Sequence, residues 1–351
     1  PTGYAPRMRI AILGATGLVG RETIDLCSRA WPQAQLDLYA SRDQSLELTN
    51  RRFAVRAAAA LDQQDATRGQ LAFVALDDEH SARYVPRLLQ LGYRVVDKSN
   101  TYRQDPAVIL GVAGVNSDLI TTATHLVANP NCTTIPLTLA LAPLQAHFGL
   151  VSVQVSTYQA ISGAGLQTLD EFLAACRTGY GEADQYQSRL GLTHSLQGYA
   201  GNTVPHHGKT DDSGFSAEER KLSTETPKIL RQPELQVTAQ CCRVPVAVGH
   251  YENCWVELAK PTNPTAIEAL LATRPFVRLH SGAAGASLSA LAAVHDRDRA
   301  LVGRIRLAQP GTSGHVLCLT VVGDNLRLGA ATNAVRLGSR WYPSTDPDLQ
   351  A

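Results

Sequence analysis

The chain has 351 residues, 44% of them hydrophobic and 18% charged, with 32 basic and 31 acidic side chains. That length suits two domains, the composition belongs to a globular chain rather than a disordered one, and the near balance of charge leaves no electrostatic footprint for nucleic acid or an anionic membrane. Seven cysteines, an odd number without a Cys-x-x-Cys pair, fit neither a disulfide framework nor a zinc site and point to a reducing, cytoplasmic setting.

The first seven residues lack the apolar stretch of a signal peptide. Met8, the only methionine, opens a strand pattern and reads as the natural start. No apolar run approaches the roughly 20 residues that span a bilayer. From there short apolar runs alternate with helical periodicity. Strands are expected at 9–13, 36–39, 71–76, 94–97 and 126–128, and helices at 18–30 and 81–91. This β-α-β alternation predicts a parallel sheet covered on both faces. Beyond about residue 150 the strands lengthen and partly alternate, at 151–160, 236–248, 254–258, 301–307 and 316–322, with fewer helices between them. That pattern predicts an antiparallel or mixed sheet in a second domain. The segment 178–214, rich in Gly, His, Asp and Gln, reads as a long excursion or lid, and a last helix is expected over 327–341.

Gly14-Ala15-Thr16-Gly17-Leu18-Val19-Gly20 follows the first strand and opens the first helix. Glycines at a strand–helix turn let backbone N–H groups approach a pyrophosphate, and the helix terminus favours the anion. The spacing differs from the common dinucleotide fingerprint, so the strand–turn–helix context carries the assignment. The second strand ends near Ser41-Arg42. An arginine there suits the 2′-phosphate of NADP, where an acid would favour NAD; a solvated loop charge is the plain alternative.

Asn129-Pro130-Asn131-Cys132-Thr133-Thr134 precedes a long apolar stretch. With Asn131 as N-cap, Cys132 would lie in the first helical turn, where the helix terminus favours the thiolate. The alternative is a buried structural cysteine. The other six cysteines lie within expected strands, helices or the Cys241-Cys242 pair. A thiolate beside a nicotinamide can attack an activated acyl group, form a thioester and accept hydride on that carbon.

Together with Ser156-Thr157-Tyr158-Gln159-Ala160-Ile161-Ser162-Gly163-Ala164-Gly165, Glu218-Glu219-Arg220-Lys221, Arg243-Val244-Pro245-Val246 with His250, and Asp324-Asn325-Leu326, that segment resembles the aspartate-semialdehyde dehydrogenase family. The five motifs occur in order from about Met8 to Val335. The resemblance implies an α/β chain: a Rossmann-type parallel-sheet domain binding NADP, at 8–130 with 324–351, and an α+β catalytic and dimerisation domain with a mixed sheet, at 131–323. It implies a homodimer acting on an amino-acid acyl phosphate and inorganic phosphate, with Cys132 as nucleophile and His250 as acid/base.

The resemblance also assigns Arg243 to the substrate carboxylate, Glu218 to its amino group, and Lys221, Arg103 and Asn131 to the phosphate. Gln159, at a strand end before a glycine turn, has an amide suited to orienting the acyl oxygen. Ser162, Gly163 and Asn325 would approach the cofactor, beside Gly14, Thr16, Gly17, Leu18, Val19, Ser41 and Arg42. Arg243 and His250, seven apart, would face opposite sides of an unbroken strand, although Pro245 and Gly249 offer places for it to break. His206-His207 read as loop residues, with no partner spacing for a metal. Lys98 stands where the family usually has Asn, and Asp77-Asp78-Glu79 bring acids near the expected pyrophosphate. A reductase of another acyl substrate, or a non-catalytic nucleotide-binding paralogue, are the competing readings.

Overall fold

The computed structural model describes residues 8–48, 50–64, 70–178, 198–206, 210–282, 287–311 and 314–351. The segment before Met8 and most of the expected 178–214 excursion lie outside the described residues. Two compact units form, Pro1–Asn131 with Gly329–Ala351, and Cys132–Leu328. Residues 324–328, expected with the first domain, fall in the second unit.

The first unit runs β1 (Arg9–Leu13), α1 (Leu18–Ala30), β2 (Gln35–Ala40), β3 (Gln44–Leu48), β4 (Arg51–Ala57), β5 (Leu71–Val74), α2 (Asp78–Gln90), β6 (Arg94–Asp97), β7 (Ile109–Leu110) and β8 (Leu126–Ala128). They make one sheet in the order β3-β4-β2-β1-β5-β6-β8-β7, parallel except for the β3–β4 hairpin. Alternation along β1 explains why both faces are dry. Ile10 and Ile12 pack with Leu26 and Cys27 of α1 and with Ala334 and Leu337, while Ala11 and Leu13 pack with Tyr84, Val85 and Leu88 of α2. Because β1 is flanked by β2 on one side and β5 on the other, the chain's building direction reverses there. The carboxyl ends of these strands therefore border the crevice in which α/β sheets hold ligands.

The β3–β4 hairpin was absent from the sequence expectations. Its signal is the alternation of Leu46 and Leu48, then Phe53 and Val55, around Asn50, which takes the left-handed backbone of a tight turn at φ 61. The expected last helix is a π-helical turn at Arg327–Thr332 followed by a short α-helix at Asn333–Ser339.

The second unit runs α3 (Thr134–Phe148), β9 (Leu150–Gln159), α4 (Leu166–Thr178), β10 (Val204–Pro205), α5 (Ala217–Leu230), β11 (Gln236–Arg243), β12 (His250–Leu258), α6 (Pro264–Ala272), β13 (Val277–His280), α7 (Ala290–His295), β14 (Ala300–Leu307) and β15 (Val316–Gly323). Its sheet is mixed, in the order β10-β11-β9-β12-β15-β14-β13. Helix α3 is apolar around its whole circumference. Such a helix belongs in a core, and α3 packs against strands of this sheet while also meeting α5 and α6. The opposite face of the sheet keeps Trp255 exposed, level with Gln154. The strand expected over 236–248 stops at Arg243, and the next begins at His250.

In the first unit Asn333 is buried and fully used. Its Oδ1 accepts from Ala113 N at 2.9 Å, and its Nδ2 donates to Gly111 O at 3.0 Å and Asn129 Oδ1 at 2.8 Å. Asn333→Ala strands all three partners, and leaving a buried polar group unpaired costs about 1–3 kcal/mol. We expect the first unit to lose about 2 kcal/mol in denaturant unfolding followed by hydrogen exchange of its amides; unchanged protection would contradict this account.

Candidate active site

In the first unit the Gly14–Gly20 turn joins β1 to α1. Gly14 has φ 77, and a Cβ there would lie 2.3 Å from Ala75 O; one on Gly20 would lie 2.1 Å from Gly14 O. Gly17 is the N-cap of α1 and supplies no side-chain cap. The first-turn N–H groups, Leu18 and Val19 among them, are thus uncovered by any capping side chain, the arrangement that receives a phosphate. Thr16 turns its carbonyl to Arg21 Nε at 3.0 Å.

Ser41 and Arg42 follow β2 and are exposed, and Arg42 makes no ion pair among the described residues. The neighbouring acids are engaged: Asp37 by Arg9 at 2.7 Å and Arg56 at 3.4 Å, Asp43 by Ala57 N at 2.6 Å. The acidic run at α2 also has local work. Asp77 is the N-cap, accepting from His80 N at 2.9 Å, and Asp78 accepts from Asn100 N at 2.7 Å. Lys98 turns under α1, donating from Nζ to Thr23 Oγ1 at 3.1 Å, and burial pushes its ammonium down to about 7. Arg103 is buried and donates from Nη2 to Lys98 O at 2.6 Å. Asn131, also buried, ends this unit's first segment.

In the second unit three strands finish side by side. Strand β11 runs parallel to β9 with Arg243 level with Gln159. Strand β12 runs antiparallel on the other side of β9, with Tyr251 opposite Tyr158, so His250 begins it beside Gln159. The break at residues 244–249 thereby brings Arg243 and His250 to one edge, which an unbroken strand would not. Here Val244 N, Ile161 N and Ser162 N donate to Gln159 O, Val246 O and Ala247 O at 3.0, 2.8 and 3.0 Å.

Cys132 precedes the cap position of α3, which is Thr133 rather than Asn131 as expected, so the thiol lies just outside the helix. Its Sγ is 3.2 Å from His250 Nε2. The other ring nitrogen, Nδ1, accepts the N–H of Ala160 at 3.0 Å. An amide N–H only donates, so Nδ1 carries no proton and Nε2–H is the proton that faces the sulfur. Burial first, then the Arg243 charge, lowers the imidazole to about 3.

Arg243 donates from Nη1 to Ala160 O at 2.7 Å. A Cβ on Gly163 would lie 2.7 Å from that nitrogen and 3.4 Å from His250 Cε1. Gln159 is fully buried and donates to Thr157 Oγ1 at 3.2 Å, while its Oε1 takes no partner among the described residues. Asn325 joins the two loops, accepting from Gly249 N and donating to Ser162 Oγ, each at 2.9 Å.

Glu218 is buried in α5, with Lys221 Nζ at 3.1 Å and His206 Nε2 at 4.0 Å from its Oε2. Burial pushes this carboxyl up, but Lys221, His206 and Arg243 outweigh it and hold it at about 2. His206, expected to be a loop residue, is thus part of this cluster, while His207 lies outside the described residues. No sequence spacing announced it: β10 delivers it by pairing Val204 with Arg243. Among the described residues no group of His, Cys, Asp or Glu could hold a metal ion.

A buried neutral imidazole facing a thiol, beside a carboxylate ringed by cations, can perform acyl transfer to sulfur and bind a zwitterionic acyl group. Two family models match the chain: "Semialdehyde dehydrogenase, NAD binding domain" over residues 9–123, and "Semialdehyde dehydrogenase, dimerisation domain" over 141–328. Aspartate-semialdehyde dehydrogenase of Aquifex aeolicus is 33% identical, covering 94% of this chain and 96% of its own. That of Mycolicibacterium smegmatis is 34% identical, covering 94% and 97%. The crystal structure of aspartate semialdehyde dehydrogenase II from Vibrio cholerae, complexed with ASA, superposes with a TM-score of 0.84 at 30% identity, covering 96% of this chain and 98% of that one.

The burial of His250 and the hydrogen bond to its Nδ1 each have a measurable consequence, the first on its titration and the second on its tautomer. The folded-state value of His250 falls from 6.5 to about 3, so the unfolded chain takes up this proton first. The stability contributed by the neutral ring is complete above about 6.5 and is lost as pH falls toward 3. In ¹⁵N-histidine spectra His250 should remain a single Nε2–H tautomer across neutral pH, and a midpoint near the ordinary histidine value would overturn the assignment.

Proposed function

This chain belongs to the aspartate-semialdehyde dehydrogenase family, and from that premise we propose that it is the NADP-dependent, phosphorylating enzyme, reducing L-aspartyl-4-phosphate to L-aspartate 4-semialdehyde through a thioester on Cys132. The observation that carries the reading is the 3.2 Å approach of Cys132 Sγ to a histidine nitrogen that bears its proton. In this proposal the Nε2–H of His250 stabilises the Cys132 thiolate. The sulfur attacks the acyl carbon, the C–S bond forms, and the bond to the phosphate oxygen breaks. Arg103, Asn131 and Lys221 take the departing phosphate.

When bound, the reduced dinucleotide supplies the hydride that the thioester carbon accepts. The resulting oxyanion accepts a hydrogen bond from the same Nε2–H and from the Gln159 amide. As it collapses, the C–S bond breaks and Cys132 returns as thiolate. The acid/base role expected for His250 narrows here to that of a neutral donor, since its second nitrogen is engaged.

Arg243 and Glu218 suit the substrate's carboxylate and ammonium groups, and this favours a free amino acid over the competing acyl substrates. The exposed Arg42, with Asp37 and Asp43 already engaged, supports NADP over NAD. The uncapped first turn of α1 at Gly17 suits the dinucleotide's pyrophosphate. The match of the second unit to a dimerisation-domain model supports a homodimer.

Mixing the protein with L-aspartate semialdehyde, phosphate and NADP should give phosphate-dependent growth of the reduced-nicotinamide absorbance, abolished in Cys132→Ala; turnover that survives in that variant would sink the thioester. Arg42→Glu should raise the KM for NADP by about tenfold or more, on the order of one charge-assisted contact, and leave that for NAD unchanged; equal effects on both would remove the argument for NADP. Gly163→Ala should displace the Arg243 guanidinium and raise the KM for the semialdehyde by about tenfold, the size expected for a weakened bidentate grip. An unaltered KM would show that Arg243 does not hold the substrate.

A further inference from the structure

The acids that open α2 do more than cap it. Strands β5 and β6 lie side by side and parallel, with Val74 level with Asp97, and Lys98 N continues their ladder by donating to Val74 O at 3.0 Å. The two chains therefore leave the first unit's sheet at the same edge. One enters α2 and the other runs through Ser99 to Arg103. Asp78 ties them together. Its Oδ1 accepts from Asn100 N at 2.7 Å, and Asn100 Nδ2 donates to its Oδ2 at 3.1 Å and its Oδ1 at 3.3 Å. Thr101 Oγ1 donates to Asp78 O at 3.1 Å. From the core side, Ser99 Oγ accepts from Thr101 N at 3.2 Å and donates to the buried Asp97 Oδ2 at 2.6 Å. Arg103 leans on this turn twice: its backbone N–H donates to Asn100 O at 3.2 Å, and its Nη2 to Lys98 O at 2.6 Å.

Resting on the reading that Arg103 binds the phosphate, we propose that Asp78 is a positioning residue for that arginine, fixing the Asn100–Arg103 turn and with it the two carbonyls on which Arg103 rests. A guanidinium grips a phosphate through two parallel hydrogen bonds, and that fork is sensitive to the tilt of its plane. Lys98 O can set the tilt only while the turn that follows it stays in place. A carboxylate that accepts from both nitrogens of Asn100 is suited to hold it, because hydrogen bonds to an ionised acceptor are stronger than neutral ones. The acidic run also has a rival role, since a carboxylate near a pyrophosphate would repel the dinucleotide. The two roles have opposite consequences. Removing a repelling charge lowers the KM for NADP and leaves phosphate alone, whereas loosening the turn weakens phosphate binding and leaves NADP alone. The role calls for an acceptor at Asn100, not for a negative charge as such.

Steady-state rates in the phosphate-dependent direction, with phosphate, L-aspartate semialdehyde and NADP varied in turn, test the proposal in wild type, Asp78→Ala, Asp78→Asn, Arg103→Lys and the Asp78→Ala/Arg103→Lys double variant. We expect Asp78→Ala to raise the KM for phosphate by about fivefold, the order of one hydrogen bond, with the other two KM values within about twofold and kcat little changed at saturating phosphate. Asp78→Asn keeps an acceptor for Asn100 N and an amide that can pair with that of Asn100, so it should restore most of the loss. Arg103→Lys should raise the KM for phosphate by about tenfold or more as the two-point grip is lost. Asp78→Ala added to it should change that value by less than about twofold, because a residue acting through Arg103 has little left to act on. If Arg103→Lys raises the phosphate KM, four results overturn the role of Asp78 alone: an unchanged phosphate KM in Asp78→Ala, a parallel rise in all three KM values or a fall in that for NADP, an equal defect in the alanine and asparagine variants, or a full fivefold effect in the double variant. An unchanged phosphate KM in Arg103→Lys, or wild type without phosphate-dependent turnover, overturns the underlying reading, and the proposal falls with it.

Discussion

The chemistry of the second unit depends on one hydrogen bond, from the N–H of Ala160 to Nδ1 of His250. It fixes which nitrogen carries the proton, and so it decides what Cys132 meets. The bond exists because β9 and β12 end level, and because Ser162 and Ile161 continue the pairing onto the segment before His250. Asn325 then ties Gly249 to Ser162 from outside the strands. Gly249 itself has φ 99, and a Cβ would lie 2.6 Å from Ala290 O, so the chain can turn there only as glycine. The tautomer is therefore a consequence of sheet register and loop closure, and burial reinforces it by excluding the imidazolium.

Charge in this unit is arranged so that each buried ion has a partner, as low-dielectric surroundings require. Glu218 is ionised although burial opposes it, because Lys221, His206 and Arg243 act together. Glu252, two residues beyond His250 on the same buried side of β12, has no such company; burial alone drives it well above the ordinary carboxyl range. The contrast shows that position on the strand does not decide ionisation. The basic side chains that α5, the residue after β10 and the end of β11 bring to Glu218 do.

Much of this was legible in the sequence. The strands at 9–13, 94–97 and 126–128 and the helix at 18–30 coincide with β1, β6, β8 and α1, because buried parallel strands and an amphipathic helix leave strong local patterns. The β3–β4 hairpin did not stand out, since its strands are short and interrupted by Arg51, Arg52 and Arg56, which alternate with the apolar residues on a partly exposed edge. His206 was invisible for another reason. Its neighbours Glu218 and Arg243 are set by sheet order, and sequence separation carries no information about which strand lies beside which. The seven-residue gap between Arg243 and His250 left the matter open for the same reason: the opposing-face rule holds within one strand, Pro245 and Gly249 offered a break, and here two strands meet with β9 between them.

The glycine motif of the first unit separates what the fold requires from what a ligand would require. A Cβ on Gly14 or Gly20 collides with backbone atoms at 2.3 and 2.1 Å, so these two are demanded by the strand–turn–helix joint whether or not a nucleotide is present. Gly17 is different: a Cβ there meets only Gly14 O, at 3.4 Å, an ordinary contact. The fold would accept a larger residue, and helix stability would favour one, because Ser, Thr, Asp or Asn at an N-cap satisfies an open N–H that Gly17 leaves bare. An anion close to the first turn satisfies those N–H groups instead and needs the space a capping side chain would fill. Of the three glycines, the middle one therefore carries the information about binding, and the outer two carry the information about the joint that presents it.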